Sequence, residues 1–159
     1  MEDLQRIAAP NRGIAGAFAG VLAAAALAGC GSEPSRSVPV ACKDASAALE
    51  RALARAPGDV RVGGTRLSGC FAPGSDSADQ QALGLTLLPA AQHLAAGARA
   101  KPRGAAALRL GFLIGAVRRG AERGGVYAEL VRRLEQELAG VDTGAPGYLR
   151  GERAGRDHG

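Results

Sequence analysis

The stretch from Gly13 to Cys30 constrains this chain more than any other, because it carries no charge and consists mostly of small and aliphatic residues. It follows a short segment that contains Arg6 and Arg12. A basic head, an apolar run and small residues, in that order, are typical of a secretory signal peptide, which is removed from the mature protein. We therefore interpret residues 1–29 as a leader and exclude them from predictions of the fold.

The end of this run, Leu27-Ala28-Gly29-Cys30, resembles the lipobox of bacterial prolipoproteins. In that class the cysteine thiol receives a diacylglyceryl group, and the chain is then cut just before the cysteine. The resemblance covers the leader through Cys30 and no more of the chain. It implies a lipid anchor on Cys30, with palmitate-type acyl chains, at the extracytoplasmic face of a bacterial cell membrane.

Two other interpretations of the same segment stay open. The run from Gly13 to Ala28 approaches the shortest apolar stretch that spans a bilayer, so an uncut signal anchor is one alternative. A cytosolic alanine-rich helix with a coincidental cysteine is the other, and it is favoured by Glu2 and Asp3, which weaken the positive head. The order of the basic, apolar and small-residue zones favours the lipoprotein over both.

The cysteine count predicts one covalent cross-link. If Cys30 carries lipid, Cys42 and Cys70 remain, and outside the cytoplasm a leftover pair is most simply interpreted as a disulfide. Free thiols are the alternative. A zinc site is disfavoured because neither a third cysteine nor a nearby histidine accompanies the pair, and we predict no metal and no cofactor.

Composition and periodicity divide the mature chain into three parts. Residues 30–41 are rich in serine and proline and predict a flexible tether. Residues 42–143 predict a small all-α bundle of about four helices. Residues 144–159 show no period and predict a disordered tail. With 3% aromatic residues and no tryptophan, the core must rely on leucine, valine and alanine.

Apolar residues that recur at spacings of three and four predict helices at 45–56, 77–100, 105–123 and 126–139. Pro89 should kink or split the second helix. Gly111 and Gly115 in the third would let a neighbouring helix approach closely or would border a ligand cleft. Between the first two helices, residues 60–67 alternate around Gly63 and Gly64 and predict a short β-hairpin, with an irregular loop as the alternative.

A catalytic set is hard to find in this sequence. His93 is a weak candidate, because a general base needs a partner within hydrogen-bond reach and spacing assigns it none. Asp76, Asp79 and Tyr127 are the residues that could join it in the fold. A structural role for His93, and helix capping by the two aspartates, are the simpler interpretations.

Arginines cluster around the end of the third helix. Arg118, Arg119 and Arg123 are weak candidates for binding an anion, although a solvated charged face is the simpler interpretation. The net charge is +5, and removal of the leader leaves it unchanged because two arginines and two acids are lost. Nucleic acid is a poor partner, because the basic residues are dispersed among acids and aromatic side chains for base stacking are scarce.

The sequence therefore favours a membrane-anchored, exported lipoprotein that acts as a non-catalytic binding module at the cell envelope. The partners that fit are the membrane itself, an envelope protein, an anionic polymer or an apolar ligand held between helices. A small envelope enzyme with a site around His93 is the principal alternative, and a purely structural envelope protein is a third.

Overall fold

A computed structural model describes residues 37–123 and 125–159. The predicted leader (1–29), the predicted lipidation site Cys30 and the tether as far as residue 36 lie outside the described residues. Within the described ranges the chain is mostly helical, with a single two-stranded hairpin and one disulfide. The predicted fold class, a small all-α bundle stapled by one disulfide, is confirmed.

Five α-helices form the described part of the bundle, one more than the sequence predicted. In chain order they are α1 (Ser46–Leu53), α2 (Ser77–Ala100), α3 (Ala105–Ala121), α4 (Ala128–Gln136) and α5 (Pro146–His158). Short 3₁₀ turns precede α1 at Val40–Lys43, follow the hairpin at Leu67–Cys70 and precede α4 at Gly125–Tyr127. One continuous hydrophobic core extends from Val38 to Tyr148.

The start of the described chain corrects the extent of the predicted tether. Val38 is only 1% exposed, and its backbone N–H donates a hydrogen bond of 2.7 Å to Oδ2 of Asp79. The 3₁₀ turn Val40–Lys43 follows directly and buries Cys42. Residues 38–41 therefore belong to the folded domain, because an apolar side chain at position 38 completes the core.

The hairpin consists of β1 (Arg61–Val62) and β2 (Thr65–Arg66), paired antiparallel with Val62 opposite Thr65. The intervening Gly63 and Gly64 have φ angles of 54° and 84°. Two consecutive left-handed residues define the tight turn that matches the twist of paired strands, and glycine adopts this conformation without steric cost. The structure thus confirms the hairpin rather than the irregular loop.

The disulfide joins Cys42 to Cys70, as predicted. It ties the 3₁₀ turn that precedes α1 to the 3₁₀ turn that follows the hairpin. Both cysteines are buried in the core. The cross-link therefore closes residues 42–70, which include α1 and the hairpin, into a loop.

Helix α2 begins at a capped aspartate and continues past its proline. Oδ1 of Asp76 accepts a hydrogen bond of 2.8 Å from the backbone N–H of Asp79, which is a standard N-cap. Pro89 does not split the helix. Proline deprives the carbonyl of Leu85 of its helical partner, and both residues are exposed, so water can satisfy that carbonyl.

The C-terminal segment differs from its prediction. The sequence predicts disorder for residues 144–159, yet Pro146–His158 forms helix α5, which packs along α3. Tyr148 is 2% exposed and contributes to the core. The overlooked signal is a glycine at every fourth position, at 147, 151, 155 and 159, which gives a helix one bare face.

That bare face fits α3 at backbone distance. A Cβ added to Gly111 or Gly115 would collide with a backbone carbonyl oxygen of α5, and a Cβ added to Gly151 or Gly155 would collide with one of α3. Glycines spaced by four on both helices therefore allow a contact that no other residue permits. Helix α3, buried over most of its length, is the centre of the bundle, and the close approach predicted at Gly111 and Gly115 is confirmed.

Candidate functional site

An open groove lies between α2 and the start of α4. It encloses about 300 Å³ and is bordered by aliphatic and polar side chains of both elements: Gln80, Gln81, Gly84, Leu85, Leu88, Val126, Glu129, Leu130 and Arg133. Its floor is apolar because Leu130 is buried and Gly84 has no side chain to fill the space. We call this site the α2–α4 groove.

The two walls of the α2–α4 groove expose large aliphatic side chains to solvent. Leu85 on α2 is 71% exposed, and Val126 before α4 is 49% exposed. Leu85 falls outside the buried stripe of α2, which contains Leu83, Leu87 and Leu94. A leucine on the solvent side of an otherwise amphipathic helix contributes nothing to the core, so it is available to a partner.

The rim of the groove is polar, and its charged side chains are bonded to one another. Glu129 accepts hydrogen bonds of 2.8 to 2.9 Å from Arg132 and Arg133. These two hydrogen-bonded guanidinium groups lower the pKa of the Glu129 carboxyl to about 2. The glutamate is therefore anionic at neutral pH, and the two arginines leave the cluster with one net positive charge.

His93 lies in a second groove that α1, α2 and α3 form together. This groove encloses about 500 Å³, and Glu50, Arg51, His93 and Arg109 border it together with Leu94 and small residues. Nδ1 of His93 lies 2.7 Å from Oε2 of Glu50. The histidine therefore has the carboxylate partner that the sequence did not reveal, although its side chain is 74% exposed.

The histidine–glutamate pair has part of the geometry of a general base. A carboxylate bonded to one imidazole nitrogen orients the ring and leaves Nε2 free to take a proton. Neither a hydroxyl nor a thiol nucleophile is among the residues that border this groove, so water would have to be the attacking group. Arg51 and Arg109 are the cations that could face a developing negative charge.

The other residues proposed for a catalytic set are occupied elsewhere. Asp79 binds the Lys43 ammonium at 2.6 Å and the Val38 amide at 2.7 Å, and these hydrogen bonds lower the pKa of its carboxyl. The Tyr127 hydroxyl is buried between Ser75 and the Ala72 carbonyl, and burial raises its pKa. The fold brings neither residue to His93.

The arginine cluster serves the packing of helices. Arg118 bonds Glu135 of α4 at 2.7 Å and also bonds Glu152 of α5. Partial burial lowers the pKa of Arg118, but the hydrogen bond to Glu135 and the charges of Glu135 and Glu152 together outweigh it and raise that pKa. Arg119 donates to the last carbonyls of α5, at Arg156 and Asp157, where a cation also complements the helix dipole. Arg123 is exposed at the end of α3.

These contacts weaken the anion-site hypothesis for two of its three residues. Arg118 and Arg119 already have carboxylate or carbonyl acceptors, so an external anion would have to compete with them. The sequence contained the carboxylates, but the spacing of Glu135 and Glu152 from Arg118 does not identify them as partners. Glu152 lies on α5, in a segment for which the sequence predicts a disordered tail.

Within residues 37–123 and 125–159 no helix combines the length and the apolar character needed to cross a bilayer. The same ranges contain no group of three or more histidine, cysteine or acidic side chains arranged to hold a metal ion.

Comparison with known proteins assigns the chain to no family. No family model matches it, and neither a curated protein nor a solved structure is significantly similar to it. What the fold and the grooves define is therefore a class only, a small disulfide-bonded α-helical bundle with an open apolar groove.

Proposed function

We propose that this chain is an exported bacterial lipoprotein, anchored to the outer face of the cell membrane by a lipid on Cys30. Its helical domain then acts as a non-catalytic binding module at the cell envelope. The proposal combines the resemblance of Gly13 to Cys30 to a lipobox with one structural observation, the disulfide between Cys42 and Cys70.

The disulfide supports the proposal in two ways. Stable disulfides are characteristic of exported proteins and are rare in the cytosol, where thiols are kept reduced. The pair also accounts for two of the three cysteines of the chain. The remaining one is Cys30, which stands where a lipobox places its lipid acceptor.

A binding role is supported by a contrast between polar side chains that bond within the fold and apolar side chains that are exposed. Arg118, Arg119, Asp79 and Tyr127 all bond within the fold. The α2–α4 groove instead exposes apolar surface that the fold does not use. Apolar side chains with a polar rim are the usual composition of a binding site for an apolar group.

Substitution of the predicted acceptor tests the anchor. In a bacterial host that processes lipoproteins, Cys30→Ala should move the protein from the membrane fraction to soluble or uncut precursor fractions. The double variant Cys42→Ala/Cys70→Ala is the matched control, and it should stay with the membrane because it retains Cys30. Membrane attachment of Cys30→Ala equal to that of the wild type would overturn the proposal.

A small envelope hydrolase is the second candidate, and the contact between His93 and Glu50 is the observation that favours it. In this hypothesis His93 takes a proton from water, Glu50 orients the imidazole, and Arg51 or Arg109 faces the developing anion. Nitrophenyl ester and phosphodiester substrates provide a test. Turnover that is lost in His93→Gln and Glu50→Gln but kept in the control His158→Gln would support an enzyme, and absence of turnover by the wild type would favour the binding module.

A further inference from the structure

We infer that one face of the domain, formed by Val40, Leu85 and Val126, rests on the lipid bilayer. We call it the apolar face. The inference rests on the proposed lipid anchor at Cys30 and deepens it, because it names the surface of the domain that meets the membrane. The partner is a lipid surface, and aliphatic side chains would contact its interfacial region.

The exposures of the large aliphatic residues are the first observation. Val40 is 77% exposed, Leu85 71% and Val126 49%. In residues 37–123 and 125–159 one other large hydrophobic side chain is exposed, Leu149 of α5 at 38%. Single exposed aliphatic residues are normal on protein surfaces, but three on neighbouring elements indicate an interaction surface.

Hydrogen bonds place these elements side by side. The backbone N–H of Val38 donates to Asp79 in the first turn of α2, and Thr86, two turns later, donates to the carbonyl of Asp44 at 2.7 Å. The segment that carries Val40 therefore runs alongside the first three turns of α2. Leu85 lies within those turns, and Val126 faces it across the α2–α4 groove.

The position of the anchor is the second observation. Val38 is eight positions beyond Cys30, and eight residues span at most about 26 to 29 Å when fully extended. Val38 is fixed to the first turn of α2, so a lipid on Cys30 would hold this end of the domain within that distance of the bilayer. A tether this short gives the apolar face a high effective concentration at the membrane, and modest apolar contact then suffices to orient the domain.

The charges around the apolar face are compatible with lipid headgroups. Asp76 and Asp79 at the start of α2 accept hydrogen bonds within the fold. At the rim of the groove, Glu129 is bonded by two arginines, Arg132 and Arg133, which are 59% and 58% exposed. Glu129 cancels one of the two guanidinium charges, and the remaining net positive charge attracts the anionic phosphates of a bacterial membrane.

The test measures the depth of single labelled sites in the lipidated protein. Leu85→Cys and Val126→Cys each introduce a thiol for an environment-sensitive fluorophore, and Leu149→Cys provides the matched control on α5. The lipidated full-length product is reconstituted into phosphatidylethanolamine–phosphatidylglycerol vesicles that contain lipids with brominated acyl chains. We expect bromine quenching at positions 85 and 126 to exceed quenching at position 149 at least threefold.

The outcomes separate this inference from the anchor on which it rests. Intact mass is measured on the same samples. Acyl mass on Cys30 together with quenching at position 149 equal to or greater than that at 85 and 126 would overturn the apolar face alone. A product without acyl mass would overturn both the anchor and the orientation that depends on it.

Discussion

The contact between α3 and α5 and the groove between α2 and α4 are made from opposite kinds of residue. Along the first, Gly111, Gly115, Gly151 and Gly155 bring two backbones together with no room for a Cβ. Along the second, Leu85 and Val126 project into solvent, and a space of about 300 Å³ separates the helices. The α3–α5 contact is tight because its glycines have no side chains. The α2–α4 groove is open, and the large aliphatic side chains on its walls are exposed to solvent.

This difference indicates that the two regions contribute differently to the stability of the bundle. Contacts at backbone distance leave no volume for a ligand, so the α3–α5 contact serves stability. The α2–α4 groove contributes less to the core, so its residues are available for the proposed binding role. Substitutions in the closed contact should therefore change the free energy of unfolding strongly, whereas substitutions on the walls of the groove should not.

The largest effect is expected from a single methyl group in the α3–α5 contact. In Gly151→Ala the added Cβ would collide with the carbonyl of Leu108, and backbone cannot yield as a side chain can. Overpacking of this kind should lower the free energy of unfolding by about 3 kcal/mol, measured by urea denaturation. Gly147→Ala is the matched control, because its Cβ would meet no atom closer than 4.0 Å.

The control should change stability by less than about 1 kcal/mol, with a tendency to stabilise, because alanine favours the helix over glycine. Equal losses in both variants would show that the close contact at Gly151 does not determine the loss, because helix propensity favours alanine at both positions. The proposed difference between the two regions would then lose its basis.

Alkaline pH should weaken the same contact by a smaller amount. Burial, followed by the nearby charge of Glu152, raises the pKa of Tyr148 from its ordinary value of 10.0 to about 12. A raised pKa means that the folded state holds the proton more tightly, so the stabilisation is complete below pH 10 and is lost as pH rises through 12. The loss should approach about 2 to 3 kcal/mol, and Tyr148→Phe should remove most of this pH dependence.

The walls of the groove should tolerate substitution. Leu85→Ser replaces a leucine that is 71% exposed, so the free energy of unfolding should change by less than about 0.5 kcal/mol. Leu87→Ala, two residues away on the buried side, should cost about 2 to 5 kcal/mol because it leaves a cavity. A comparable loss in Leu85→Ser would mean that the apolar face is part of the core after all.

The smallest effect concerns the rim of the groove in acid. Hydrogen bonds from Arg132 and Arg133 lower the pKa of Glu129 to about 2. A carboxyl whose pKa is lowered by folding stabilises the folded state at pH values above its ordinary pKa. That contribution disappears as pH falls from about 4.5 towards 2. Because the cluster is exposed, we expect a shifted NMR titration of the Glu129 carboxyl with little change in global stability.

Much of the fold could be predicted from local patterns. Apolar periodicity identified α2 and α3 almost to their observed ends, and Gly63-Gly64 identified the turn of the hairpin. The pairing of Cys42 with Cys70 followed from counting cysteines. These features depend on residues that are close in sequence or on a choice with few alternatives.

Helix α5 was missed because its packing face is made of glycine. Periodicity searches follow large apolar residues, and glycine is a poor helix former in isolation. In this bundle the cost of glycine is offset by contact with α3, a tertiary effect that a single segment does not contain. The same limit hid Glu50 as the partner of His93, because the two residues are 43 positions apart.

The predicted tether, residues 30–41, extends too far into the folded domain for a similar reason. Serine and proline around position 38 conceal one valine that enters the core. The apolar face could not be predicted either, because the sequence does not show that the side of α2 that carries Leu85 faces solvent. The sequence shows the composition of each segment, but it does not show which residues of other segments each side chain contacts.

The measurement that tests the lipoprotein proposal most directly is the intact mass of the protein recovered from the membranes of a lipoprotein-processing bacterium, before and after reduction and alkylation. We predict a chain that begins at Cys30, carries added acyl mass and exposes two thiols only after reduction. A full-length chain without acyl mass would contradict the account, because it would remove the anchor, the compartment and the bilayer as the partner of the apolar face.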